Sequence, residues 1–230
     1  MIKQDLFRYV ILPGKPGPGS QNQELHDRAY EFWKSFWSKI YSDAGSPESF
    51  VPEDFTRQDF IPVILHGDTI VAMHLYTIFN IRSLAIREHR YFKFFPEEFF
   101  SYLWDHSVDS VLSLEFLTVA EGWRKHDIGV SLSRVLVDCS RRLMNQLPVG
   151  ALIGPARSDN KVNEMVVDFG FTTFQAGLKK RNFTVDLMVG FRNQIHPCSD
   201  FASHALAKEL WNKRQDLTLQ NSELTSELAA

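Results

Sequence analysis

Apolar residues recur at helical spacing in Leu25, Ala29, Phe32, Trp33, Phe36, Trp37 and Ile40, which predicts an amphipathic helix over about 22–42. Ahead of it, residues 6–12 form an apolar run that reads as a strand, stopped by the Pro- and Gly-rich stretch 13–19. Two further apolar runs, 60–66 and 69–78, are separated only by Gly67 and Asp68, the pattern of a β-hairpin with a two-residue turn. Residues 80–107 break the regularity. Phe92, Phe94, Phe95, Phe99, Phe100, Tyr102 and Trp104 crowd this segment, and Pro96 followed by Glu97 and Glu98 suits the first turn of a helix. It reads as a helical insertion.

The second half of the chain is more sharply patterned. A strand over about 110–119 leads into a helix over about 129–146, whose apolar stripe is Ile128, Leu132, Val135, Leu136, Cys139 and Leu143. Residues 151–155 make a short strand. Ser158 or Asp159 is placed to cap a helix running to about Asp168, and Gly170-Phe171 opens a last hairpin with strands at about 172–178 and 183–191. The intervening Lys179, Lys180 and Arg181 read as a solvated turn. A helix over about 200–215 follows, and the polar stretch from Leu217 reads as a frayed tail. This order predicts an α+β fold, a mixed, mostly antiparallel sheet flanked by helices. It fits one domain over 1–216, with an insertion at about 80–107, an extra C-terminal helix and a tail over 217–230.

Composition narrows the function classes. The chain has 230 residues, enough to bury a proper core, and 44% of them are hydrophobic. A net charge of −3 gives no overall attraction to nucleic acid or to a membrane surface. No apolar run reaches membrane-spanning length and no signal-peptide pattern opens the chain, so a cytoplasmic protein is expected. The 19 phenylalanines predict an unusually aromatic core or a large apolar pocket. Two cysteines, Cys139 and Cys198, make no disulfide framework, and eight histidines show no ligand spacing, so no metal site is expected.

Candidate chemistry lies at 114–132. A carboxylate, Glu115, sits inside an apolar strand, where desolvation favours a proton-accepting role. The strand runs into a loop holding Arg124, Lys125, His126, Asp127, Ile128 and Gly129, and a helix starts at about Gly129 with Val130 next to it. Strand, tight basic loop, helix is an arrangement that offers backbone N–H groups to a phosphate. The loop resembles the Arg/Gln-x-x-Gly-x-Gly/Ala signature of the GNAT superfamily of acyl-CoA-dependent N-acetyltransferases. Arg124 fits its first position and Gly129 its last, while Asp127 stands at the usual first glycine. The stretch 158–171, ending in Gly170-Phe171, resembles the family's second cofactor motif. Counting back from that pair puts Val166 at the position where many members carry a tyrosine acid, and Asp159 at the usual asparagine, with Asn160 beside it.

The resemblance implies an acetyl-CoA or other acyl-CoA donor held by Leu117, Thr118, Val119, residues 124–130 and Asn160. It implies Glu115 as general base, often through water, and a strand N–H near Val119 as the group polarising the thioester carbonyl. Strand alternation sets Glu115 on one face with Ser113 and Leu117. His74, on the third strand, is a further candidate for the acceptor cleft, and Phe32, Trp33, Phe36 and Trp37 would flank its acceptor side or fill the core. The implied reaction moves an acyl group to a primary amine on a small molecule or peptide; a homodimer is compatible with the resemblance. Two other readings stand beside it. One is a long-chain acyltransferase of the acyl-homoserine lactone or acyl-amino-acid synthase type, with the aromatic insertion as chain pocket. The other is a catalytically inactive module of the same fold, which Asp127 and Val166 favour.

Overall fold

The computed structural model describes residues 6–17, 20 and 22–218. Eight strands form one sheet in the order β6-β7-β5-β4-β3-β2-β1-β8. The strands are β1 (Phe7–Pro13), β2 (Phe60–His66), β3 (Thr69–Asn80), β4 (Ser110–Val119), β5 (Ala151–Arg157), β6 (Thr172–Lys180), β7 (Phe183–Phe191) and β8 (Gln215–Asp216). All neighbours are antiparallel except β4–β5 and β1–β8. The first hairpin turns at Gly67, whose φ of 59° suits a two-residue turn matched to strand twist.

Helices cover both faces. On one face α6 (Leu132–Met144), α7 (Val162–Val167) and α8 (Phe201–Asn212) pack on Tyr9, Ile11, Tyr76, Leu112 and Leu152. On the other, α1 (Gln23–Asp43) and α2 (Glu53–Thr56) cover Val10, Leu12, Ile61, Val63 and Leu75. The aromatic insertion lies beside them. It contains α3 (Leu84–Arg87), a 3-10 turn at Arg90–Phe92 and α4 (Glu97–Asp105). Its rings pack against one another and onto Phe79, Val111, Ile153 and Leu187, so the phenylalanine excess is spent on a second core. Ring pairs such as Phe95–Phe99 and Phe92–Phe95, at 5.2 and 5.1 Å, meet edge to face.

Several boundaries differ from the sequence expectation, each for a local reason. The helix expected from 129 begins at Leu132, because residues Lys125–Ile128 close a separate turn, α5, that ends on left-handed Gly129. Ser131 then caps α6. Neither Ser158 nor Asp159 caps α7. Asp159 is taken by Arg157, and the Val162 amide donates instead to Asn160 Oδ1. The C-terminal helix stops at Asn212, and β8 adds a short parallel edge to β1, continued by the Leu217 amide donating to the Ile11 carbonyl. The rest of the expected tail, 219–230, lies outside the described residues.

Candidate active site

The site is built where the sheet comes apart. β4 and β5 run parallel for three register pairs, Val111–Ala151 to Ser113–Ile153, and then diverge. Pro155 has no N–H to donate to a neighbour, which removes one ladder bond just past the point of divergence. β4 is also bent there. One residue of β3, His74 between Met73 and Leu75, faces two of β4, Phe116 and Leu117 between Glu115 and Thr118, and Phe116 holds a left-handed φ of 56°.

The bulge overturns simple alternation. Glu115 shares its face with Ser113, as expected, but Leu117 packs on the α6 side and Thr118 points back under α1. There Thr118 Oγ1 accepts the Trp37 indole N–H at 2.9 Å. The physical cause is the one extra residue at Phe116, which resets the side-chain period.

Three connected hollows open along the divergence. On the α6 face, an apolar cavity of about 90 Å³ is lined by His74, Leu117, Val137, Val166, Phe171 and Met188 among others. His74 therefore faces the α6 side of the sheet, with its ring 4.8 Å from that of Tyr76. Burial lowers its pKa to about 3, and its Nδ1 has no hydrogen-bond partner among the described residues. On the α1 face lies a charged cavity of about 290 Å³ containing Glu115. Trp37, Leu114, Phe116, Pro155 and Arg157 line both, so the two faces communicate through the gap. The third hollow, about 550 Å³, is an open mouth that includes Leu117, Val119, Arg124, Lys125, His126, Ser131, Ser133 and Asn160.

This geometry brings together six of the candidate donor residues at the mouth, Leu117, Val119, Arg124, Lys125, His126 and Asn160. It leaves Val130 in the core, and Asp127, Ile128 and Gly129 outside the lining. The amides of Asp127, Ile128 and Gly129 donate inside the turn, to Arg124 and Lys125 carbonyls. They are thus already satisfied. The amides of Leu132 and Ser133, at the start of α6, have no acceptor among the described residues and sit at the mouth. Asp127 caps the one-turn helix α5, accepting the Arg124 amide at 3.2 Å. Lys125 is tied to Asp200 at 2.6 Å.

The charged cavity contains groups the sequence reading passed over. Glu115 is buried; its Oε2 accepts from Arg57 and its Oε1 from Ser113 Oγ at 2.8 Å. Arg57 also donates to Thr77 Oγ1 at 3.2 Å. Asp54, buried on α2, is met by Arg90 at 2.9 Å and Arg181 at 2.7 Å. The Lys179–Arg181 segment is therefore not simply a solvated turn. Arg181 and Asn182 both take positive φ, 50° and 64°, a two-residue turn that swings Arg181 inward onto Asp54 and the Tyr41 hydroxyl. Lys180 is partly buried over the rings of Phe94 and Tyr91, at 4.5 and 5.4 Å, and burial, with Arg181 and Arg57 nearby, lowers its pKa to about 8. Asn182 beside a basic triplet was the one local signal for this turn.

At the level of sequence, no family model and no curated protein matches the chain. Solved structures do match. FeeM, an N-acyl amino acid synthase from uncultured soil microbes, superimposes with a TM-score of 0.57 at 11% identity, covering 84% of this chain and 94% of FeeM. The fold is that of the GNAT N-acyltransferases. BjaI, a CoA-dependent acyl-homoserine lactone synthase solved with SAM and isopentyl-CoA, superimposes with a TM-score of 0.55 at 10% identity, covering 91% of this chain and 93% of BjaI. Among the described residues no helix is long and apolar enough to cross a membrane, and no cluster of three or more His, Cys, Asp or Glu is placed to hold a metal ion.

Proposed function

We propose that the protein is a GNAT-type N-acyltransferase that moves an acyl group from acyl-CoA to a primary amine. The observation that carries this reading is the divergence of β4 and β5, which joins a basic mouth, an apolar channel and a charged cavity in one path through the sheet. A donor with a polyanionic end, a thin arm and a reactive thioester matches that sequence of environments. Arg124, His126, Ser131, Ser133 and the free amides of Leu132 and Ser133 would hold the diphosphate at the start of α6. The pantetheine arm would follow Leu117 and Val119 between the strands, with Asn160 and Arg157 opposite.

The amine arrives from the charged cavity. Its nitrogen lone pair attacks the thioester carbonyl, a C–N bond forms, the C–S bond breaks, and the thiolate leaves as coenzyme A. The Ala120 amide donates to Val71 on β3, so strand alternation turns the Val119 N–H toward the gap, where it can stabilise the developing oxyanion. Glu115 is the proposed acceptor of the amine proton, directly or through water. Each of its oxygens accepts one hydrogen bond, from Arg57 and from Ser113, and keeps a second lone pair to take the proton. Val166 lines the apolar cavity and carries no proton, so solvent at the mouth or the substrate itself would protonate the thiolate.

The aromatic insertion fills its own core and gives the charged cavity only Arg90, Tyr91 and Phe94, so it supplies an acceptor wall in preference to a chain pocket.

Release of free thiol from acetyl-, hexanoyl- and dodecanoyl-CoA across an amine panel tests the reading. Glu115→Gln should lower kcat by roughly 10²–10⁴ and leave donor affinity nearly unchanged. Turnover equal to the parent would leave Glu115 as a purely structural partner of Arg57.

A further inference from the structure

The lining of the charged cavity carries six cationic side chains, Arg57, Arg90, Arg157, Lys179, Lys180 and Arg181, against two carboxylates, Asp54 and Glu115. This imbalance occurs in a chain whose net charge is −3. The two carboxylates are also already engaged. Asp54 is shared among Arg57, Arg90 and Arg181, and Glu115 is held by Arg57 and Ser113. Arg157 has its own partner outside the lining, Asp159.

Lys180 is the exception. Its ammonium has no hydrogen-bond acceptor and no carboxylate in contact among the described residues; it rests only on the faces of Phe94 and Tyr91. Arg90 gives one nitrogen to Asp54 and is otherwise open to the cavity. Removing a cation from water without a counter-ion is costly, so a partner is expected to come with the occupant. A second cation on the substrate would meet repulsion here.

Resting on the acyl-transfer reading for the location of the reactive amine, we propose that the acceptor is an acidic amine of amino-acid size, whose carboxylate is held by Lys180 and Arg90. The cavity of about 290 Å³ suits a single amino acid. The Phe94, Tyr91 and Phe183 rings would then receive its side chain, while its amine lies toward Glu115 and the gap between β4 and β5.

The test compares matched pairs that differ only in the carboxylate: phenylalanine with phenethylamine, and leucine with isoamylamine. With any acyl-CoA the enzyme turns over, kcat/KM should favour the amino acid by at least tenfold. Lys180→Met should raise KM for the amino acid at least tenfold more than for its amine, and Lys180→Arg should restore most of the preference. Equal or better use of the decarboxylated amines overturns the proposal while leaving acyl transfer standing. Calorimetric titration of phenylalanine into the protein without donor separates the two readings. Binding that Lys180→Met abolishes, with no turnover of any acyl-CoA, keeps the anion site and sinks the transferase. Absence of binding to either the parent or the coenzyme A-loaded protein sinks the anion site. Lys180→Met removes a cation whose burial outweighs the attraction of the nearby Glu115 and Asp54, so its apo melting temperature should equal or exceed the parent's; a large drop would show that Lys180 has a structural role and count against the proposal.

Discussion

At the scale of single residues, Asp127 and His74 separate local electrostatics from packing. Asp127 sits beside the basic mouth, with one carboxylate oxygen holding the Arg124 amide and the other 3.2 Å from His126. One unit of phosphate charge about 6 Å away would repel it by roughly 2.8 kcal/mol at an effective dielectric near 20, and salt and water should reduce that to about 1 kcal/mol. Asp127→Asn keeps a cap oxygen and removes the charge. Coenzyme A should therefore bind about fivefold more tightly to it at low salt, with the gain fading as salt rises; calorimetric titration at two ionic strengths decides, and weaker binding at low salt refutes the repulsion. His74 makes a different prediction. Its folded pKa, about 3, lies below its ordinary value of 6.5 because burial disfavours the charged ring. The unfolded chain thus binds an extra proton between those values, so the stability this group contributes is complete above pH 6.5 and is lost as the pH falls toward 3. The slope from one such proton is at most about 1.4 kcal/mol per pH unit. His26 and His89, also lowered by burial, titrate in any His74 variant as well, so the comparison with His74→Phe isolates one ring. Denaturant melts from pH 7 to 4 should fall less steeply for His74→Phe than for the parent; parallel curves would mean that the ring is hydrated.

At the scale of elements, the informative one is the bulged end of β4. Phe116 is a bulky residue in a left-handed conformation, which costs roughly 1–2 kcal/mol, and it is held there by edge-on contacts with Trp33 and Trp37 at 5.4 and 5.1 Å. Replacement by alanine loses the rings and keeps the strain; replacement by glycine loses the rings and relieves it. Phe116→Gly should be more stable than Phe116→Ala by about 1 kcal/mol, reversing the usual order of these residues in a strand. Equal or opposite stabilities would show that the bulge relaxes when the ring is gone. The same element shows why alternation alone misplaced Leu117. A period of two is reliable only while each residue faces one partner, and the extra residue at Phe116 is specified by packing under α1 and not by any local turn signal.

At the scale of the whole molecule, the divergence of β4 from β5 leaves a ligand-sized path through an otherwise continuous sheet, and filling that path should stabilise the fold. Coenzyme A at a hundred times its dissociation constant should raise stability by about 2.7 kcal/mol, visible as a higher melting temperature; no shift at saturating ligand would sink the donor assignment. The sequence by itself determined the parts governed by neighbours in the chain: the amphipathic α1, the Gly67–Asp68 hairpin, the apolar face of α6, the aromatic insertion and the acid inside β4. Their periods and turn residues act over a few positions, so they are legible in order. Only the tertiary structure decided what those parts meet. Asp54, Arg57, Arg90, Glu115 and Arg181 come from α2, the connection after it, the insertion, β4 and the last hairpin turn, and they converge because strands far apart in sequence are adjacent in the sheet. Lys180 read as solvated because its burial depends on Tyr91 and Phe94, some ninety residues earlier. Charge pairing of this kind has no periodicity, which is why the charged cavity proposed to hold the acceptor stayed hidden until the chain was folded.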